Sequence, residues 1–181
     1  MVEMSRGTEQ DRKMLDAIPK EKLLDLFFLH IKNLWRVDGL YFLGIEEKFG
    51  TGAATQIDVN CWKVMGKLEA RDLKNIFGFK EIDVSSLLDL LKNTSWALDL
   101  ACKDAEGSKN RGVFKVTRCR IQETRIGKGL GVFPCKEVRF GYLKSFAEEL
   151  NPKIEVVCKV CPPGKRPEGI WCEWEFRLRS N

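Results

Sequence analysis

Seven cysteines in a chain of 181 residues are more than packing requires, and four of them fall in a pattern with chemical content. Cys158-Lys159-Val160-Cys161 is a C-x-x-C pair, Cys172 follows after ten intervening residues, and Cys135 lies upstream. A C-x-x-C turn lets two sulfurs face one ion, and a returning strand would bring Cys172 beside them. Cys135, Cys158, Cys161 and Cys172 are therefore a candidate metal-ligand set at a hairpin tip. Tetrahedral thiolate ligation suits zinc first. Iron or an iron–sulfur cluster is the second option, on the strength of the Cys161-Pro162 junction. Free cysteines also serve as small buried hydrophobes, and that reading stands beside the metal one. A redox pair is the third, disfavoured because a thioredoxin-type C-x-x-C opens a helix whereas this one closes a strand. Cys61, Cys102 and Cys119 fall on apolar faces and read as packing residues, with Cys119 close enough to the sheet end to approach Cys135.

Carboxylates on apolar stripes are the second signal. Asp38 falls between Trp35 and Phe42 in a helical run, where a carboxylate must be paired or protonated. Trp35, Asp38 and Tyr41 thus read as the wall of a ligand pocket. A structural ion pair of Asp38 with Arg71 is the plainer alternative. Asp58 and Glu69 flank the Trp62–Met65 side of the next helix and could face Asp38 across a groove, forming an acidic pocket. Asp38 and Glu69 are the candidate catalytic groups. Glu46 and Glu47 read as solvated. His30, the only histidine, lies about 12 Å from Asp38 along a straight helix axis, too far for direct pairing.

These residues need elements to position them. Ser5 to Lys13 reads as polar and frayed. Pro19 opens a helical run with apolar positions Leu24, Phe27, Phe28, Ile31, Leu34, Trp35, Phe42, Ile45 and Phe49, either one long helix or two with a bend at Gly39 as the weak point, ending at Gly50-Thr51-Gly52. A second helix over 53–76 is capped by Thr51, presents Ile57, Cys61, Val64, Met65, Leu68 and Ile76 to the core, and stops at Gly78. Asp83 caps a helix through Leu91. Trp96 to Cys102 alternates as a strand, 106–112 is a hairpin turn, and Val113 to Gln122 returns. A loop over 127–131, a helix over 136–150 and strands over 153–160 and 170–178 complete the reading. The fold expected is α+β: N-terminal helices packed on a mainly antiparallel sheet of about four strands, with one further helix. Residues 1–18 form a flexible N-terminal segment, 19–92 a helical layer, and 93–181 the sheet region with the cysteine cluster, the last two joined in one domain.

Composition narrows the function classes. The chain is 44% apolar and 31% charged, with net charge +5. The surplus is uneven, since residues 109–181 carry 16 basic against 8 acidic side chains. The basic residues are scattered among acids, which argues against nucleic acid as a partner. No 18-residue apolar run and no signal-peptide core occur, so a cytosolic protein away from the membrane is expected. Serine-hydrolase, P-loop, dinucleotide and H-E-x-x-H signatures are absent, and Gly127-Lys128-Gly129-Leu130-Gly131 is weak evidence for phosphate.

Several segments together resemble an uncharacterised prokaryotic cytosolic family: Leu34 through Phe42, Glu46 through Gly50, Val64 through Arg71, Phe133 through Lys136 and Cys158 through Phe176. The resemblance spans most of 20–178. That family is distantly similar to L-2-amino-thiazoline-4-carboxylic acid hydrolase-like proteins, and its cysteine arrangement resembles the small-molecule-binding vinyl reductase-like domain, where such a set is associated with metal. Pro162 to Gly169, inserted between Cys161 and Cys172, departs from that pattern. The resemblance implies an α+β fold and transfers no catalytic residue. The expected function is a zinc–thiolate protein that binds a small molecule as a sensor or accessory protein, with a homodimer as a possible assembly. Hydrolysis of a small cyclic amide-like or thiazoline substrate is the alternative. A zinc-stabilised nucleic-acid-binding protein is the third reading.

Overall fold

The computed structural model describes residues 7–100 and 102–179. Its first element, α1 (Glu9–Asp16), begins with a capping box in which the Thr8 hydroxyl accepts from the Asp11 N–H at 3.1 Å and the Asp11 carboxylate accepts from the Thr8 N–H at 3.0 Å. Two otherwise orphaned donors are thereby satisfied. The expected frayed run is helical from Glu9 onward, and Ser5 and Arg6 lie outside the described residues.

Pro19 opens α2 (Lys20–Phe77), which is two helical segments meeting at a kink at Gly50, where the Gly50-Thr51-Gly52 run predicts one helix to end and the next to begin, and Gly78 ends it in the left-handed conformation, φ 71°. Of the two expected forms the run up to Gly50 takes the unbroken one, with no departure from helical geometry at Gly39. The one non-helical residue is Gly50, at φ 83° and ψ 162°, a conformation that only glycine adopts without strain. Thr51 does not cap a second helix; its hydroxyl donates to Glu46 at 2.8 Å. The inward face of the second half also differs from expectation. Ala54, Trp62, Gly66 and Ala70 are buried, whereas Ile57, Cys61, Val64, Met65, Leu68 and Ile76 are exposed. Close approach of a second helix explains the choice. A Cβ on Gly66 would stand 2.4 Å from the Tyr142 carbonyl oxygen, so small residues line the contact and larger apolar ones are left outside.

Asp83 caps α3 (Val84–Leu91), accepting from the Ser86 N–H at 2.9 Å. Of the strand expected over Trp96 to Cys102, Trp96 to Asp99 instead belongs to a short helix, α4 (Ser95–Asp99), because the Thr94 hydroxyl accepts from the Ala97 N–H at 3.1 Å and starts a turn. Strands β1 (Cys102–Gly107) and β2 (Arg111–Arg118) form the expected hairpin. After it the chain turns helical, earlier than expected, in α5 (Arg120–Gly127). The long helix α6 (Cys135–Leu150) then leads to β3 (Ile154–Val160) and β4 (Cys172–Leu178).

The four strands make one antiparallel sheet in the order β1-β2-β4-β3. Alternation puts Phe114, Val116, Cys172, Trp174 and Phe176 into the core. The helices that cover this core are α2, α3, α4 and α6, so the architecture is the expected α+β layering. Burial of the Trp35–Trp62 pair, whose rings stack at 4.7 Å, joins the two halves of α2 across Gly50 to the core.

Candidate functional site

A cavity of about 280 Å³ opens between α2, α5 and α6. Its walls are mostly apolar, from Trp35, Phe42, Trp62, Ile121, Phe133 and Val138, and its polar groups are Asp38, Asp58, Arg36, Arg120, Arg125, Lys128 and Arg139. An apolar enclosure with a few convergent polar groups is the usual form of a small-molecule site.

Two carboxylates meet in it. Each lies on a buried stripe of α2: Asp38 three residues after Trp35, and Asp58 second in the four-residue steps Ala54, Asp58, Trp62, Gly66, Ala70. The Trp62 indole N–H donates to Asp38 Oδ1 at 3.2 Å and also lies within hydrogen-bonding reach of Asp58. Burial raises both carboxyl pKa values. Asp38 is partly held back by the Trp62 N–H and Arg139. Asp58 is pushed up to about 7 by burial and then by the nearby Asp38 charge, against the pull of Arg139. One proton is therefore available to the pair near neutral pH.

Arg139, on α6, is only 2% exposed. Its guanidinium carbon lies 4.3 Å from the centre of the Trp96 ring, 5.0 Å from Tyr142, 5.5 Å from Trp62 and 5.8 Å from Trp35. This aromatic cage stabilises the cation through ring faces. It does not satisfy the N–H groups, and Nε and Nη1 are buried without an acceptor. Orphaned donors on a buried cation carry a desolvation cost that a ligand anion would remove.

The other cations are mostly committed. Arg125 binds Glu46 through two nitrogens at 2.8 and 2.9 Å and lies over Phe42 and Phe133. Arg120 pairs with Asp99 at 2.9 Å. With these neutralised, Arg36, Lys128 and Arg139 outnumber Asp38 and a half-protonated Asp58, leaving the cavity cationic.

The other candidates of the sequence fall as follows. Trp35 and Asp38 line the cavity, but Tyr41 is 72% exposed and does not. Its backbone position turns it outward from the Trp35–Phe42 stripe. Glu69 is outside the acidic pair, since it accepts from the Ser95 N–H at 2.6 Å and the Tyr142 hydroxyl at 2.7 Å, anchoring α4 and α6 to α2. Arg71 pairs with Glu149 at 2.9 Å, so Asp38 has no ion pair with it. His30 is exposed on the first half of α2. Arg139 escaped the sequence reading. Its signal is a charged residue on the α6 stripe Cys135, Arg139, Tyr142, Phe146 and Leu150, four of whose members carry apolar or thiol side chains.

The cysteines converge at one end of the sheet. Cys172 opens β4 opposite Val116 of β2, Cys161 follows β3, Cys119 precedes α5, and Cys135 opens α6, tied down by the Lys136 N–H donating to the Pro162 carbonyl at 2.9 Å. The Cys161 thiol hydrogen-bonds to Cys135 and Cys172 and is raised well above the ordinary thiol range by those bonds. Cys135, which accepts from Cys161 and lies beside Arg139, is lowered to about 7. Burial pushes Cys119 up to about 12 and also raises Cys158. Among the described residues, no group of three or more Cys, His, Asp or Glu side chains has the arrangement to hold a metal ion. Cys161, the second cysteine of the C-x-x-C pair, is thus held as a neutral thiol beside Cys135 and Cys172. Arg139 links this cluster to the cavity, since it acts on Cys135, Asp38 and Asp58 alike.

The chain belongs to a family of unknown function, DUF6125, whose sequence pattern matches residues 16–178. No curated protein and no solved structure matches it. The comparisons lend no support to a likeness with thiazoline-carboxylate hydrolases or with vinyl reductase-like domains. Among the described residues, no helix is long and apolar enough to cross a membrane.

Proposed function

We propose that the protein binds a small organic anion, a carboxylate on an apolar or aromatic body, and acts as a sensor or accessory protein for it. The observation that carries this reading is Arg139: a buried guanidinium in the cavity wall with two nitrogens lacking acceptors. The carboxylate would take these donors, Trp35, Phe42 and Phe133 would enclose the body, and Asp58, half protonated near pH 7, would donate to an acceptor on the ligand. A cavity of about 280 Å³ suits a ligand of roughly ten to fifteen non-hydrogen atoms. The test is a thermal-shift screen of small aromatic carboxylates against their neutral amides. Stabilisation by a carboxylate and none by its amide supports the reading, and equal responses refute it.

The thiol cluster is part of the same proposal. Sulfurs gathered at one end of the sheet suit a soft cation, zinc before iron, which Cys135, Cys161 and Cys172 would bind after side-chain rearrangement and loss of the Cys161 proton, with Cys158 or Cys119 rotating in as the fourth ligand. Elemental analysis of the native chain and a Cys161→Ser variant tests it. About one metal per native chain, lost in the variant, supports a thiolate centre; none in either assigns the cluster to thiol chemistry alone.

Hydrolysis of a small cyclic amide or thiazoline carboxylate is the second reading, favoured by the Asp38–Asp58 pair. One carboxyl near pKa 7 beside one more acidic is the arrangement that general acid–base chemistry uses. Turnover of 2-aminothiazoline-4-carboxylate, abolished by Asp58→Asn, would establish it. No turnover with retained binding would leave the first reading alone.

A further inference from the structure

Acid and base line the same cavity without pairing. Asp38 and Asp58 lie so near each other that both come within hydrogen-bonding reach of the one Trp62 indole N–H. Two carboxylates carry four acceptor oxygens, and among the described residues that N–H is the only donor directed at them. Both side chains are half-buried, and neither has an ion pair among the described residues. The neighbouring cations are held elsewhere: Arg120 by Asp99 at 2.9 Å, Arg125 by Glu46 at 2.8 Å, and Arg36 by the Asn33 side chain at 2.9 Å.

Arg139 is the reverse case. It is 2% exposed, and its Nε and Nη1 have no acceptor. A carboxylate pair short of donors and a guanidinium short of acceptors would satisfy each other by direct contact. They do not touch: Arg139 acts on both carboxylates through space and forms an ion pair with neither. The cavity of about 280 Å³ is bounded by all three. One molecule that carries a cation and an anion a short distance apart would satisfy both ends, and a simple anion would satisfy only one.

We infer that the ligand is an amino acid with a large apolar side chain, its ammonium held between Asp38 and Asp58, its carboxylate on Arg139 and its side chain against Phe42, Ile121 and Phe133. The inference rests on the anion-binding reading and narrows it. The ligand acceptor that Asp58 faces is then an amine nitrogen, which holds the proton as ammonium between the two carboxylates. An ammonium has three N–H donors to give, and the pair has the oxygens that Trp62 leaves free. The apolar walls then select the side chain, and the charged ends select the amino acid head.

The test is calorimetric titration of the full chain with leucine, phenylalanine and tryptophan. Each is compared with its analogue lacking the amine (4-methylpentanoate, 3-phenylpropionate, indole-3-propionate) and with its carboxamide. At least one amino acid should bind about 10- to 100-fold more tightly than its analogue without the amine, because the analogue leaves the buried pair without its cation. In Asp38→Asn with Asp58→Asn this preference should vanish, with far-UV circular dichroism showing that the variant is folded. The comparison on the native chain decides even where the double variant does not fold. Analogues without the amine that bind as tightly as the amino acids overturn the inference and leave the anion reading standing. Carboxamides that bind as tightly as the amino acids overturn both. Binding of none of the three amino acids, or a preference undiminished in the folded variant, also overturns the inference.

Discussion

Arg139 stands with its guanidinium carbon 4.3 Å from the centre of the Trp96 ring, and two of its nitrogens meet no acceptor although the side chain is buried. The ring face supports the charge while the donors stay unspent. In a folded protein such a group weakens the resting state and strengthens a bound one. The cavity beside it, with its apolar walls and two carboxylates, follows the same logic.

Replacement of Arg139 separates these two effects. Arg139→Met keeps much of the volume, removes the orphaned donors, each costing about 1–3 kcal/mol when buried, and loses cation–ring contacts of about 2 kcal/mol. Urea unfolding without ligand should therefore shift by no more than about 1–2 kcal/mol in either direction. Ligand-induced stabilisation should vanish. A loss above about 4 kcal/mol would mark Arg139 as a structural ion instead.

Stability should fall as pH rises through the range in which Asp58 loses its proton. Its folded pKa, about 7, lies above the ordinary value of 3.8, so the folded state holds a proton that the unfolded state has released. The associated stability is complete below about pH 4, declines between about pH 4 and 7, and is absent above, a span of up to about 4 kcal/mol. Asp38 acts in the same direction. Asp58→Asn should flatten the decline and gain stability mainly at pH 7–8. Denaturant melts at pH 5, 6, 7 and 8 measure this, and an unchanged slope in the variant would remove Asp58 as its source.

The Gly66 contact predicts a sharp size limit. A methyl group there would stand 2.4 Å from the Tyr142 oxygen and 3.3 Å from the Phe146 nitrogen, both main-chain atoms that cannot turn aside. Gly66→Ala should cost about 3 kcal/mol or more as α2 and α6 move apart. Gly44→Ala, with nothing within 4 Å of its added carbon, should gain about 0.5–1 kcal/mol from helix propensity. Thermal melts of the two variants should move in opposite directions.

Cys135 should be the most reactive thiol of its cluster at neutral pH, because it accepts from Cys161 beside Arg139 and is held near 7 while Cys119, Cys158 and Cys161 are raised. Alkylation by iodoacetamide followed by peptide mass spectrometry should show half-maximal labelling of Cys135 near pH 7. Cys161→Ala, which removes the donor, should move that midpoint upward. Equal labelling of all four sulfurs would contradict the thiol geometry.

Much of the fold is legible in periodicity and caps: Pro19, Gly78, the Asp83 box and the alternation of β2 and β4 mark elements that the structure contains. The helix over Ser95–Asp99 was not legible, because a five-residue helix started by the Thr94 hydroxyl alternates apolar residues as a strand does. The buried face of α2 was misjudged for a related reason. Hydrophobicity favours Ile57, Val64 and Leu68, while the close approach of α6 favours Ala54, Gly66 and Ala70, and close approach decides. The site shows the same division. Asp38 announces itself on an apolar stripe, and Asp58 is legible as a carboxylate on the Trp62 side of the following helix, facing Asp38 across a groove as the structure has it. Glu69, chosen as its partner, is taken up by Ser95 and Tyr142. Arg139 was hidden because a single arginine in an amphipathic helix reads as solvated until the aromatic residues around it are placed.

Calorimetric titration of an aromatic carboxylate such as indole-3-acetate into the native chain and Arg139→Met, with the neutral amide as control, tests the central claim most directly. Saturable binding by the native chain, at least ten-fold weaker for the amide and for the variant, is the result predicted. Binding of acid and amide alike, or undiminished binding by Arg139→Met, would contradict the assignment of the cavity to an organic anion.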